Sequence, residues 1–95
     1  MAAVVGVGRW VLHLPGCTSL KAKRRIVRSL RDRLQARFRV SAAETDFQDK
    51  WQKAEICVAL VASDPSVAEA LLARLDQHVG SDPRALVIER ETTLY

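Results

Sequence analysis

The chain has 95 residues, enough for one domain with one core of two packed layers. Apolar residues make up 48% and charged residues 27%, a globular balance that excludes a disordered tail or a collagen-like repeat. No apolar run approaches the ~18–20 residues of a membrane span. The segment Met1–Arg9 lacks the basic lead and cleavage site of a secretory signal, so a cytoplasmic protein is expected.

The first element is a strand over residues 3–14, β-branched and partly alternating, halted by Pro15-Gly16. One face carries Val5, Val7, Arg9, Val11 and His13; the other carries Val4, Gly6, Gly8, Trp10, Leu12 and Leu14. The second set is uncharged and is expected to face the core, its glycines letting a helix approach closely. Residues 19–38 read as a helix, with Leu20, Ile26, Val27, Leu30, Leu34 and Phe38 on one stripe and Thr18 or Ser19 as cap. A polar strand near a sheet edge is expected over 39–46, a turn over 47–50, and a third strand over 51–62 with Ala54, Ile56, Val58 and Leu60 inward.

Asp64-Pro65 is a cap followed by proline at the first helical position. The stripe Val67, Ala68, Leu71, Leu72, Leu75 and Val79 makes a second helix, which Gly80 is expected to end. A last strand covers 84–92, around Leu86, Val87 and Ile88. The order β-α-β-β-α-β with right-handed crossovers gives an α+β fold. It is the ferredoxin-like two-layer sandwich: a four-stranded antiparallel sheet with both helices on one face. That architecture hosts many activities and selects none.

Charge is unevenly divided. Residues 1–40 hold ten basic side chains and one acid, Asp32, a net +9; residues 41–95 hold five against ten, a net −5. With Lys21 at zero and about 100° per residue, Arg25 falls near 40°, Arg28 near 340°, Arg24 near 300° and Arg31 near 280°. These five share the face opposite the apolar stripe. Like charges at such spacings oppose each other, and Lys21, Lys23 and Arg24 in the first turns meet the unfavourable end of the helix dipole. A helix start with clustered Lys and Arg suits phosphate. The expected nucleic-acid-binding set is therefore Lys21, Lys23, Arg24, Arg25, Arg28 and Arg31. Arg9 and Lys53 extend it if they lie nearby. The competing expectation is a solvated basic face neutralised by Glu44, Asp46 or Asp49.

Base stacking of the kind RNA-recognition motifs use is not expected, because the open face of the two central strands has no Phe, Tyr or Trp. That face could instead be buried in a homodimer through its valines. Glu44, Asp46 and Asp49 could hold Mg²⁺ or supply acid and base, but a turn paired with the arginines, with Trp51 plugging one end of the core, accounts for them better. Cys17 and Cys57 lack zinc or disulfide spacing; Cys57 is expected to pack as a small hydrophobe. Gly6-x-Gly8 lacks the third glycine of a dinucleotide site, and no cofactor is expected.

Leu14-Pro15, the run Ser19-Leu20-Lys21-Ala22-Lys23-Arg24-Arg25, Val40-Ser41, Ala43-Glu44-x-Asp46 and Asp49-x-Trp51-Gln52-x-Ala54 resemble the bacterial DUF503, or YlxP-like, family over nearly the whole chain. The resemblance implies a small ferredoxin-like cytoplasmic protein with no agreed catalytic residues. Its genes commonly stand among those for translation initiation and ribosome maturation, which implies structured RNA or a ribosomal subunit as partner. Lys21, Lys23 and Arg24 match the family's motif. The expectation is thus a non-enzymatic accessory protein that binds structured RNA. A homodimeric regulatory or small-ligand module is the alternative.

Overall fold

Alternation and helical spacing place six elements in the computed structural model, which describes residues 3–95. They are β1 (Val4–His13), α1 (Leu20–Phe38), β2 (Ser41–Asp46), β3 (Lys53–Ala62), α2 (Pro65–Gly80) and β4 (Leu86–Leu94). The sheet is antiparallel in the order β2-β3-β1-β4, with β2 at an edge as its polar alternation requires. This is the ferredoxin-like α+β sandwich.

Parity decides the layers. Trp10 and Leu12 of β1 and Ala54, Ile56, Val58 and Leu60 of β3 are buried against Val27, Leu30 and Leu34 of α1 and Ala68, Leu72, Leu75 and Val79 of α2. Val67, expected on the α2 stripe, is exposed instead. Its neighbour Ala68 is the first-turn residue that faces the core.

Both helix starts are capped as read. Ser19 Oγ accepts from Ala22 N at 3.1 Å, and Asp64 Oδ1 accepts from Ser66 N at 2.7 Å, ahead of Pro65. The C-termini differ from expectation. Gly80 is the last residue of α2 and Ser81 caps it in right-handed geometry, so glycine's freedom is not used there. At the end of α1, Arg39 takes the left-handed position at φ 55, and its N–H reaches Gln35 O at 3.0 Å.

The glycines of β1 serve two different neighbours. A Cβ on Gly8 would lie 2.4 Å from the indole of Trp10, so that glycine makes room for the tryptophan of its own strand rather than for a helix. Gly6 does meet α2, where a Cβ would stand 3.3 Å from Leu72. Trp10, folded over Gly8, donates Nε1–H to Asp76 Oδ1 of α2 at 2.8 Å. A bulge in the β1–β4 pairing between Val11 and Leu12 shifts the register. Val87 therefore turns inward while Leu86 and Ile88 stay exposed.

Candidate nucleic-acid interface

The basic helix splits into two chemical populations. Lys21, Arg24, Arg25 and Arg28 are exposed and, with Ser29 and Asp32, line an open groove of about 660 Å³ on the outer surface of α1. None of these four has an ion-pair partner among the described residues. Arg31 is half-buried and pairs with its neighbour Asp32 at 3.1 Å, which leaves it partly available at the end of the row.

Lys23 does not belong to this surface. Its side chain is 0% exposed. The ammonium donates to Phe47 O at 2.7 Å and Gln48 O at 3.3 Å, and lies 2.9 Å from Glu44 Oε2. The Glu44 contact is an ion pair off the hydrogen-bond axis, so Oε2 accepts no hydrogen bond. The reason is angular. At about 100° per residue Lys23 falls near 200°, in the middle of the apolar stripe, so its stem packs inward and only its tip finds polar partners.

Of the three acids expected to neutralise the basic face, two are engaged locally, and Asp49 is exposed with no ion pair among the described residues. Glu44 faces Lys23, and Asp46 Oδ1 accepts from Phe47 N at 2.7 Å, holding Phe47 at φ 62. Among the described residues no group of three His, Cys, Asp or Glu side chains could hold a metal. Glu44 thus neutralises only Lys23, and neither it nor Asp46 reaches the exposed row.

Arg9 does not extend the row either. On the open sheet face it donates to Glu55 Oε2 at 2.9 Å and stands 3.7 Å from Glu89. The hydrogen bond to Glu55 holds its pKa above the ordinary arginine value. Cys57 is half-buried on the same face, where its Sγ accepts from Thr45 Oγ1 at 3.2 Å, so it is not simply a packed hydrophobe. Tyr95 pairs with Val5 through both backbone bonds and sets an aromatic ring on the open face that the central strands lack.

Trp51 departs furthest from expectation. It is 55% exposed and plugs nothing. Together with His13, Phe47, Lys50, Gln52 and Lys53 it forms a cleft of about 640 Å³, in which Lys53 Nζ sits 4.3 Å above the centre of the Phe47 ring. Two large aromatic residues inside a short turn were the available signal for a surface feature, since a turn has little core to fill.

The family model described as "Protein of unknown function (DUF503)" matches residues 5–92. The chain belongs to the DUF503 family. A curated DUF503 relative, "Uncharacterized protein YlxP" of Bacillus subtilis (strain 168), is 36% identical over 75 residues, which is 79% of this chain and 78% of the relative. Among solved structures, the de novo designed protein Foldit4 superposes with a TM-score of 0.53 at 16% identity, covering 99% of this chain and 97% of its own. A mutant of SnoaB, a cofactor-independent oxygenase from Streptomyces nogalater, gives 0.52 at 18% identity, covering 100% and 92%. At such identities the two structures share the fold alone with this DUF503 chain. Among its described residues no helix is long and apolar enough to cross a membrane. The segments that carry the family resemblance meet in space. Lys23 and Glu44 pair across the fold, and Gln52 Nε2 donates to Cys17 O at 3.1 Å, just ahead of α1.

Proposed function

We propose that this DUF503 protein is a non-enzymatic accessory factor that binds structured RNA through phosphate contacts from α1. The observation that carries the reading is the row Lys21, Arg24, Arg25 and Arg28, exposed on one helix face with no ion-pair partner among the described residues, Asp32 at its edge being paired with Arg31. A row of like charges costs helix stability, so its presence is understandable if a polyanion lies along it. Arginine forks and a lysine on one ridge match successive phosphates and read no sequence directly. RNA of the translation apparatus is the class that the family resemblance implies.

Titration of the protein with a structured RNA at several salt concentrations tests this. Four phosphate contacts give a log–log salt slope of about −3, at roughly 0.7–0.9 per contact. The pair Lys21→Glu with Arg25→Glu is expected to weaken binding by about tenfold or more and to flatten the slope by roughly two contacts. Unchanged affinity in that double variant would remove α1 from the interface.

A second reading rests on the open sheet face. Val5 and Val61 are cross-strand partners, Tyr95 flanks Val5 just past the end of β4, and Val61 and Tyr95 are each 74% exposed. Such a patch suits self-association of the regulatory or ligand-binding kind. If it operates, sedimentation shows a dimer insensitive to salt that Val61→Asp converts to monomer, with no affinity for RNA. A monomer at all concentrations removes it.

A further inference from the structure

Resting on the RNA reading above and naming what kind of RNA fits, we propose that the cleft around Trp51 stacks an unpaired base of an RNA whose phosphates lie along α1. The β2–β3 turn that builds the cleft is unusually well tied down. Asp46 holds the Phe47 N–H, Lys50 N donates to Phe47 O at 3.0 Å, and the buried Lys23 ammonium grips Phe47 O and Gln48 O. At the far end of the turn Leu14 N donates to Gln52 O at 2.9 Å, and Gln52 Nε2 donates to Cys17 O. A turn pinned at both ends presents its side chains without further ordering cost, the preorganisation a binding surface needs.

Those side chains are Trp51 and Phe47, with Lys50, Lys53 and His13 around them. Leaving an indole half in water forfeits burial of a large apolar surface, and the turn keeps it there although its backbone is firmly held. No carboxylate lines the cleft, and neither Lys50 nor Lys53 has an ion-pair partner among the described residues. An exposed indole near ammonium groups that no carboxylate neutralises complements a nucleotide. The base stacks on the indole, and the adjoining phosphate meets lysine. Bases inside a duplex are closed to such a wall, so the occupant is a nucleotide of a loop, bulge or single-stranded end. The same hydrogen bonds that fix the turn, from Lys23 and Gln52, fasten it to the start of α1. Lys23 meets the turn from the inward side of α1 while the row faces outward, so an RNA that reaches both must bend around the start of the helix.

The two tryptophans make the test direct, because Trp10 is fully buried and only Trp51 is open to a ligand. A short RNA hairpin with a single-stranded loop is titrated against a blunt duplex of equal length, following tryptophan emission and affinity together. The hairpin is expected to quench Trp51, and the duplex to leave emission unchanged. Trp51→Ala is expected to weaken the hairpin by about fivefold or more, the lower end for one base on one aromatic ring, while changing duplex affinity little. Trp51→Phe keeps a stacking ring and should retain hairpin affinity without the quench, which separates stacking from any effect on folding. If Lys21→Glu with Arg25→Glu weakens the hairpin while Trp51→Ala does not and emission stays constant, the stacking site is wrong and the phosphate row stands. If the ridge variant binds normally while Trp51→Ala abolishes binding, the cleft stands and the row is wrong. Absence of RNA binding at low salt overturns both.

Discussion

Replacing Lys23 by methionine is expected to destabilise the fold by about 3 kcal/mol, the lower end of the cost of breaking a buried ion pair from one side. Methionine fills the stem's volume, so the loss isolates the ammonium. Two acceptors and one charge lose their partner together: the carbonyls of Phe47 and Gln48 and the Glu44 carboxylate. Glu44 is 19% exposed and regains some hydration, which keeps the cost from the upper end of the range. A loss of that size is a large part of the stability of a small domain, typically about 5–15 kcal/mol. Urea denaturation measures it, and adding Glu44→Gln to Lys23→Met is expected to recover about 1 kcal/mol by removing the stranded charge. In contrast, the salt slope of RNA binding should be the same for the folded Lys23→Met protein as for the parent, since Lys23 faces inward. A destabilisation below about 1 kcal/mol would mean the ammonium is replaceable by water, against its full burial.

Lys23 also shows how far the sequence could be read. Apolar spacing located both helices and all four strands to within two residues, because parity and the helical period respond to one physical demand, burial of one face. The same arithmetic, had it been applied to Lys23, would have put it on the apolar stripe near 200°. Grouping it with its neighbours by charge and motif obscured that angle. Contacts between distant segments were less accessible. Nothing in the local pattern around Asp82 announces that Arg33 of α1 will reach it from 49 positions away, nor does Trp51 declare that the sheet leaves it outside. Likewise the bulge that turns Val87 inward is a property of two strands together, and it reassigns the faces of β4. The exposed cationic row was legible because it depends on one helix alone. The aromatic cleft was not, because it is assembled from the end of β1, a turn and the start of β3.

Asp82→Asn is expected to lower stability at pH 7 by about 2–3 kcal/mol, on the scale of hydrogen bonds to a buried charge, and to do so through a pH-dependent interaction. The carboxylate is buried in the α2–β4 connection, where Arg84 donates from its backbone N at 2.9 Å, from Nε at 3.0 Å and from a terminal nitrogen at 2.8 Å. Arg33 adds Nη2 at 2.9 Å and so ties α1 to that loop. The Arg84 side-chain hydrogen bonds, then the Arg84 N–H and Arg33, hold the carboxyl well below the usual range for Asp despite its burial. An unfolded Asp takes up its proton near pH ~3.9, while the native one still refuses it. The stabilisation is therefore complete above about pH 5 and drains away as pH falls toward the native value. Both arginines are nearly half exposed, which screens the pairs and argues against a larger figure. His78 acts in a separate window. Burial, with Arg33 and Arg37 nearby, lowers its pKa, so the native ring stays neutral while the unfolded one charges, and stability begins to fall as pH drops through ~6.5. Asp64 contributes to the acid limb too, but its carboxylate lies in open solvent. Denaturation midpoints of the parent and Asp82→Asn across pH 2.5–7 separate these effects, the range being chosen about the reference values near 3.9 and 6.5. Because the Asp82 charge works against the lowering of the His78 pKa, the gap should widen somewhat through the histidine window, then begin to close below about pH 4, as the unfolded parent chain protonates. A gap that stays constant down to the acid end would show that Asp82 acts by shape and neutral hydrogen bonding, and that its charge contributes nothing to joining α1 to the last strand.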